Sequence, residues 1–384
     1  MQSFRTGFVF DERFLAHDTG VEDTVVTRNG AFRLTPTPHP SSTLITQRIK
    51  EFLDGCGLTA LMQPIEARAA TEDELATYHT RAYIVGIREL VSSARQVAGP
   101  LQAPWGSIDE ETVLSPGSFE AALYAAGGAE NAVSAVLTGR VRNAYVLLRP
   151  PGHHAMRNQA LGFCLFNEAV IAAHHARNVY GLERIMIIDW DVHHGNGTQD
   201  AFYDDRGVLF LSLHQEHWFP GNTGGLEEIG SDAGTGYTVN IPLPPGTGDR
   251  GYRAALEQLV LPIGLQYRPQ LIIVTAGHDA SWLDPLAQMM VTMDGFRQLS
   301  QLMVDLAESV CAGRLVMLQA GGYSAPYVPY CAAATVEALV GTDLGIVDLY
   351  PTAPELARCQ SIFSQDTQQA LATARSWHRQ RWKL

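Results

Sequence analysis

Short apolar runs alternate with longer amphipathic stretches along the chain after residue 140. Four of these runs are nearly all apolar, as strands covered on both faces of a sheet must be. The pattern predicts an α/β fold with a parallel sheet between layers of helices. The six predicted strands are AYVLL (144–148), RIMIID (184–189), GVLFLSL (207–213), YTVNIPL (237–243), LIIVTAG (271–277) and RLVMLQAGG (314–322).

Segments between and before these runs repeat apolar residues every three or four positions, which predicts helices. The first 140 residues are less regular, with a Pro-rich stretch at 35–40 and a loop expected at 98–107. We find no internal repeat and expect one domain over 1–384. The predicted helices cover 41–57, 118–139, 166–181, 251–267 and 295–313.

Composition narrows the class of protein. Hydrophobic residues make up 46% and charged residues 17%, as in a globular enzyme. The net charge of −13, with no cluster of Lys and Arg along the sequence, argues against nucleic-acid binding. Five cysteines without a CxxC pattern favour a reducing compartment, and the absence of a leader or a long apolar span predicts a cytoplasmic protein that does not bind membranes.

The predicted strands end in polar, chemically capable residues. Because ligands bind outside the carboxyl ends of strands in open parallel sheets, these tips are expected to form one site. Asp191 and His193 are two residues apart and can reach one ion together, and Asp279 follows another strand. Two carboxylates and one imidazole leave a fourth position open on Zn²⁺, the arrangement of a catalytic site. The alternative for each residue alone is an ordinary turn or capping role.

Other tip residues supply groups that a hydrolase needs. His153 and His154 follow a stiff Arg-Pro-Pro-Gly loop, and either could take a proton from water. Tyr323 follows Gly321 and Gly322 and could donate a hydrogen bond to an oxyanion. Phe163 and Phe219 could line a narrow tunnel, although aromatic residues are as often part of a core.

The motifs RPPGHH, GFCLFNEAV, DWDVHHGNGTQ, SLHQ, NIPLPPGTG, GHDAS, DPLAQMMVT and QAGGYS together resemble the zinc-dependent histone deacetylases, in particular the class II branch and its bacterial histone deacetylase-like amidohydrolases. They run in family order from about 145 to 325. The resemblance implies the arginase-deacetylase fold, with a central eight-stranded parallel sheet, and hydrolysis of acetyl-lysine-type amides. The substrate would be an acylated lysine peptide or an acylated small amine.

The resemblance also implies roles for single residues. Asp191, His193 and Asp279 match the zinc ligands. His153, held by Asp189, and His154, held by Asn196, match the paired histidines; we expect His154 to be the base, with a pKa near its ordinary value. Tyr323 matches the tyrosine that polarises the carbonyl group. The substrate-binding positions are Gly162, Phe163, Phe219 and Leu286.

Family members also bind potassium near the zinc ion. The positions that match the first potassium site are Asp189, Asp191, His193, Ser212 and Leu213. The positions that match a second site, formed largely by backbone oxygens, are Phe202, Asp205, Val208 and Tyr237.

Three alternatives stay open. An acetylpolyamine amidohydrolase is disfavoured by Leu286, because polyamine-specific relatives carry Glu there. A two-manganese ureohydrolase is disfavoured by Gly195 and Ser281, which replace second-metal carboxylates. A catalytically silent acyl-ligand binder would not need a base and an oxyanion donor together. The resemblance also implies a homodimer or homotetramer, and His278 departs from the usual Phe before Asp279 with an unknown effect.

Overall fold

A computed structural model of the protein describes residues 6–28, 30–97, 106–107 and 111–384. It contains twelve strands within these residues. They are β1 (Gly7–Val9), β2 (Val21–Thr27), β3 (Gly30–Pro38), β4 (Gln63–Pro64), β5 (Gly106–Ser107), β6 (Val113–Leu114), β7 (Asn143–Val146), β8 (Ile185–Asp189), β9 (Val208–Gln215), β10 (Thr238–Leu243), β11 (Leu271–Ala276) and β12 (Leu315–Gln319).

Eight of these strands form one sheet in the order β10-β9-β8-β11-β12-β7-β1-β4, and every neighbouring pair is parallel. The predicted α/β fold and eight-stranded parallel sheet are therefore confirmed. Since all eight strands run the same way, their carboxyl ends lie along one edge of the sheet. The remaining strands form two antiparallel pairs, β2 with β3 and β5 with β6.

Helices cover both faces of the sheet. The helices are α1 (Thr43–Gly55), α2 (Glu72–Leu75), α3 (Arg81–Val97), α4 (Ser118–Leu137), α5 (Glu168–Tyr180), α6 (Asn196–Ala201), α7 (Asp249–Ala255), α8 (Leu261–Tyr267), α9 (Met293–Cys311), α10 (Val328–Val340), α11 (Ala353–Ser361) and α12 (Gln365–His378).

The alternation of side chains along β8 shows why the sheet is buried on both sides. Met186 and Ile188 belong to one hydrophobic core, and Ile185 and Ile187 belong to the core on the opposite face. Successive strand residues point to opposite faces, so each core takes every second residue. An all-apolar run is the sequence consequence of this two-sided burial.

The structure differs from the sequence prediction where elements are short or interrupted. β1 and β4 have three and two residues, too few for any periodicity, and their place in the sheet depends on pairing with β7 and with each other. The helix predicted over 251–267 contains a π-helical turn at Leu256–Val260. Pro262 follows this turn and has no N–H to donate to Gln258. Most of the predicted loop at 98–107 lies outside the described residues, and its last two residues form β5.

No helix in the described part of the chain combines the length and the apolar character needed to cross a membrane.

Candidate active site

Three side chains from the loops after β8 and β11 meet at the carboxyl edge of the sheet. His193 Nδ1 lies 3.1 Å from Asp191 Oδ1 and 3.1 Å from Asp279 Oδ2. One donor atom from each residue lies within 4.8 Å of the other two, and all three residues are buried. Val192, between the first two, turns into the core. The tertiary structure thus brings together the three residues predicted to bind zinc.

Backbone groups fix the two carboxylates. Asp191 accepts hydrogen bonds from the backbone N–H of Gly321 at 2.8 Å and of His193 at 3.0 Å. Asp279 Oδ1 accepts one from Val192 N–H at 2.8 Å. A Cβ atom at Gly321 would lie 2.1 Å from Asp279 Oδ2, so only glycine allows this approach of backbone to ligand. The loop after β12 therefore supports the ligands of two other strands.

The charges at this site fit a divalent cation. Burial raises the pKa of Asp279 well above its usual range, and the nearby Asp191 raises it further. Burial opposes the charged form of His193, but its contacts with Asp191 and Asp279 outweigh this and raise its pKa to about 10. Two facing carboxylates need a positive charge between them. A zinc ion held by the same three atoms would supply it, with one position left for substrate.

A second group of possible ligands, Glu74, Glu130 and His175, lies on helices α2, α4 and α5. Arg68 donates to both glutamates, at 2.7 Å and 2.8 Å, so this group already contains a cation. Within the described residues, the group at the strand tips is therefore the one set up for a metal ion.

His153 and His154 lie beside the metal ligands with ring centroids 3.9 Å apart. His153 Nδ1 is 2.9 Å from Asp189 Oδ2, and His154 Nδ1 is 2.7 Å from Asn196 Oδ1. Each imidazole therefore has the partner expected from the sequence, a carboxylate for the first and a neutral amide for the second.

The two histidines have opposite pKa shifts. Burial opposes the charged form of His153, but Asp191 and Asp189 outweigh it and raise its pKa to about 9. Burial lowers the pKa of His154 well below its ordinary value, and repulsion from His153 and His193 adds to this. The expectation of a nearly ordinary pKa for His154 omitted the desolvation that only the folded structure reveals.

Aromatic side chains surround the histidines and Tyr323. The ring of Phe219 is 5.0 Å from His154, and the ring of Phe163 is 5.6 Å from Tyr323. Gly162 has φ +53°, and a Cβ there would lie 2.4 Å from His154. Burial, followed by repulsion from Asp191 and Asp279, raises the pKa of the Tyr323 phenol well above its usual value. The phenol is therefore a neutral donor.

Asp284 is a residue of this site that sequence reasoning missed. Its carboxylate accepts a hydrogen bond from Tyr323 N–H at 2.8 Å and another from Leu286 N–H at 2.9 Å. Leu286 O in turn accepts from Trp218 Nε1 at 2.8 Å. Asp284 thus connects the predicted carbonyl-polarising tyrosine with the predicted substrate-binding leucine. The Asp-Pro-Leu turn was its signal in the sequence.

The predicted potassium residues fall in two places. Asp189 and Ser212 are paired across β8 and β9, directly behind the metal ligands, and the Ser212 hydroxyl lies 3.0 Å from His214 Nδ1. At the other edge of the sheet, Phe202 O accepts from Asp205 N–H and Tyr237 O accepts from Phe210 N–H. Each carbonyl oxygen retains a second lone pair for a cation. Val208 and Leu213 are both buried in β9, and Val208 is the first residue of this strand.

His278 turns away from the metal ligands. Its Nε2 lies 3.1 Å from Thr335 Oγ1, and its ring packs against Phe296 at 4.9 Å. Burial lowers its pKa to about 3. It therefore replaces a packed aromatic residue as a neutral side chain and adds no charge to the site.

Comparisons of the sequence and the structure with known proteins agree on one family. The histone deacetylase domain family matches residues 39–339. The histone deacetylase-like amidohydrolase of Pseudomonas aeruginosa is 39% identical over 96% of this chain and 94% of its own. Human polyamine deacetylase HDAC10 is 38% identical over 84% of this chain and 47% of its own. The crystal structure of the HDA15 HD domain superposes with a TM-score of 0.84 and 32% identity, covering 99% of this chain and 95% of that one.

Proposed function

The chain belongs to the histone deacetylase family, an amide-hydrolysing family, and from this premise we propose that it is a zinc-dependent deacylase of acetyl-lysine-type amides. The observation that carries the proposal is the convergence of three metal-binding atoms, two histidines with different partners and a neutral tyrosine at one edge of the sheet. A binding protein would not need this combination of a base and an oxyanion donor.

We assign the metal ligands to Asp191, His193 and Asp279. A bound Zn²⁺ supplies Lewis acidity, which polarises the amide carbonyl and makes water more acidic. The support for zinc is the donor set, because two carboxylates and one imidazole are typical of catalytic zinc sites. Gly321 and Val192 hold the two carboxylates in place through their backbone N–H groups.

The remaining steps belong to protein side chains. His154 is neutral at pH 7 and accepts the proton of the attacking water. His153, kept cationic by Asp189 and Asp191, stabilises the negative charge that develops beside it. Tyr323 donates a hydrogen bond from its hydroxyl to the oxyanion of the tetrahedral intermediate. His154 then returns the proton to the leaving amine, while Phe163 and Phe219 line the tunnel that holds the acylated lysine side chain.

An acetylpolyamine is the second candidate substrate. The described residues that line a groove of about 480 Å³ next to Phe219 and Trp218 include Glu216, Glu227 and Glu228 and no Lys or Arg. Carboxylates in this position favour a substrate with a cationic tail. A related human protein is named a polyamine deacetylase. Leu286 still separates this chain from the Glu pattern expected of polyamine-specific relatives.

Further properties complete the proposal. One K⁺ would bind at Asp189, Asp191, His193, Ser212 and Leu213, and a second at the backbone oxygens of Phe202, Asp205, Val208 and Tyr237.

We also propose that 1–384 form one domain, since both Phe8 and Trp382 pack in the same core. Five free thiols support a reducing compartment such as the cytoplasm. A homodimer or homotetramer stays a prediction from the family resemblance.

The test is turnover of an acetyl-lysine peptide and of acetylputrescine by the purified protein. Each substrate is measured after chelation, after addition of one equivalent of Zn²⁺, and with Tyr323→Phe. We expect zinc to restore turnover and the variant to lower kcat by roughly 100-fold to 1,000-fold, the typical effect of losing one oxyanion donor. Tyr180→Phe, at a partly exposed position at the end of α5, is the control and should retain full activity.

The preferred substrate decides between the two candidates. Faster turnover of the peptide supports the lysine deacylase, and faster turnover of acetylputrescine supports the polyamine enzyme. No zinc-dependent turnover of either substrate, or of longer acyl-lysines, would contradict both and leave the acyl-ligand binder.

A further inference from the structure

A basic groove lies at the amino ends of β8, β9 and β10, the edge of the sheet opposite the metal ligands. It has a volume of about 800 Å³, which is within the range of small-molecule sites. Arg184, Gly207 and Tyr237 line it and directly precede these strands. Because β8 to β10 are five to eight residues long, the groove and the metal ligands are separated by roughly 15–25 Å.

The groove concentrates positive charge on a strongly acidic protein. Arg177, Arg184, Arg206 and Arg381 line it, against two acidic side chains, Glu183 and Asp205. The chain as a whole has 40 acidic and 27 basic residues. These arginines come from four separate segments of the sequence, so the clustering is a product of the fold.

Three of the four arginines are available for a ligand. Arg177 forms an ion pair with Asp205. Arg184 donates Nε to the carbonyl of Arg268 at 3.0 Å, and Arg381 donates to the hydroxyl of Tyr237 at 2.5 Å. Among the described residues, no acidic side chain is ion-paired with Arg184, Arg206 or Arg381. Each of these three residues is exposed.

Aromatic rings hold Arg381 in the groove. Its guanidinium group lies 4.8 Å from the ring centre of Tyr237 and 6.0 Å from that of Trp382. Trp382 and Tyr267 are buried beneath it, and Trp382 Nε1 donates to Gly236 O at 3.0 Å. Cation–π contact keeps the charge in place, and the N–H groups that do not donate to the Tyr237 hydroxyl can contact a ligand. Asp205 and Tyr237 line the groove, and their backbone oxygens belong to the proposed second potassium site.

We propose that this groove binds the diphosphate group of a phosphorylated small molecule. Guanidinium groups recognise phosphate through paired N–H donors, and three of them on separate segments can contact more than one phosphate group. The same chemistry is present in inorganic pyrophosphate and in a nucleoside diphosphate. Since Arg381 lies over the ring of Tyr237, this ring supports the arginine, and the arginines are the groups that recognise the phosphates.

The test is calorimetric titration of the zinc-loaded protein with inorganic pyrophosphate and, separately, with ADP, at low ionic strength. We expect saturable binding of one pyrophosphate per chain that weakens with added salt. The double variant Arg184→Gln/Arg206→Gln should bind at least roughly tenfold more weakly, the effect of losing hydrogen bonds to a charged group. Arg140→Gln/Arg250→Gln removes the same charge from exposed positions outside the groove and should bind like the parent protein.

Deacylase turnover is measured in the same samples to separate the groove from the metal site. Binding that is lost in the double variant while turnover is retained supports the groove. ADP that binds as tightly as pyrophosphate assigns recognition to the diphosphate, and much tighter ADP binding assigns it to a nucleotide. The proposal is overturned if millimolar pyrophosphate gives no saturable heat, or if both double variants bind it like the parent. Inhibition of turnover to the same extent in every variant would also overturn it, because it would place the anion at the metal.

Discussion

At the residue scale, two neighbouring histidines are made chemically different by their hydrogen-bond partners and the charges around them. His153 contacts a carboxylate oxygen of Asp189, and His154 contacts the amide oxygen of Asn196. The carboxylate helps to keep the first imidazole charged, and the neutral amide leaves the second free to lose its proton under the effect of burial. The division into a cationic stabiliser and a neutral base follows from these contacts together with the charge of Asp191 beside His153 and the burial of His154.

Exchange of the neutral partner tests this division. Asn196→Asp places a carboxylate at about the same distance from His154 and raises the pKa of the imidazole. Because the base acts only when deprotonated, the acid limb of the pH profile of kcat/KM should move to higher pH, with activity at pH 7 reduced. Asn178→Asp, an exposed substitution on α5, is the control. An acid limb that stays at the same pH in Asn196→Asp would exclude His154 as the base.

Asp284 is predicted to position Tyr323 through its backbone. Asp284→Ala removes the acceptor of the N–H groups of Tyr323 and Leu286, so kcat should fall by roughly tenfold or more, with a smaller change in KM. The matched control is Asp343→Ala, since Asp343 makes the same contact with an N–H two residues later, at 2.8 Å, on the surface. Equal kcat values in the two variants would show that the Asp284 contacts do not serve Tyr323. Steady-state kinetics on the acetyl-lysine peptide measure both.

At the element scale, the site depends on loops that leave three parallel strands at the same edge. The loops after β8 and β11 supply the ligands, and the loop after β12 brings Gly321 against both carboxylates. No single segment contains the site, and the sheet order places β8, β11 and β12 side by side. Adjacent parallel strands are therefore the structural requirement for this metal centre.

A methyl group at Gly321 tests the contact between these loops. Gly321→Ala puts a Cβ within 2.1 Å of Asp279 and 2.6 Å of Asp191, so the ligands must move and zinc affinity should fall at least roughly tenfold. Among the described residues, Gly86→Ala on α3 meets no atom within 4 Å, so it should retain zinc and gain about 0.5–1 kcal/mol of stability. Metal content after dialysis against a chelator of known affinity measures the difference. Equal zinc retention would show that the loop after β12 tolerates displacement.

At the scale of the whole molecule, buried charge makes stability depend on pH. Glu130 on α4 is 1% exposed and contacts Arg68, which also holds Glu74 of α2. Burial raises the pKa of Glu130 from 4.5 to about 7, and repulsion from Glu74 adds to it, while Arg68 lowers it only in part. The folded protein therefore binds a proton at Glu130 that the unfolded chain has released between these two values.

The sign of the effect follows from this difference in proton binding. Where the folded state binds more protons, the free energy of unfolding falls as pH rises, so Glu130 should cost stability progressively from about pH 4.5 to above pH 7. The rise in the pKa of Glu130 on folding corresponds to a loss of roughly 3 kcal/mol in the free energy of unfolding at high pH, at about 1.36 kcal/mol for each pKa unit. The nearby His175 has a lowered pKa from burial and destabilises the protein on acidification instead.

Glu130→Gln isolates the glutamate from other titrating groups. The variant should gain stability relative to the parent protein as pH rises from 5 to 8, since only the parent acquires the buried charge. Thermal unfolding midpoints of both proteins across this range give the comparison. Parallel curves would mean that Arg68 neutralises Glu130 completely in the folded state.

Local pattern in the sequence predicted the six longest strands of the sheet, and four of them are nearly all apolar because both of their faces are buried. It also identified the strand tips, since polar residues directly after such runs lie at one edge of a parallel sheet. The motifs placed Asp191, His193 and Asp279 in one candidate site before any distance was known.

Only the tertiary structure decided properties that depend on neighbours distant in the chain. β1 and β4 are strands because β7 pairs with β1, not because of their own periodicity. The pKa of His154, the contact of Asp284 with Tyr323 and the basic groove all arise from segments far apart in sequence. Desolvation and electrostatic interaction depend on distance in space, and the fold alone sets that distance.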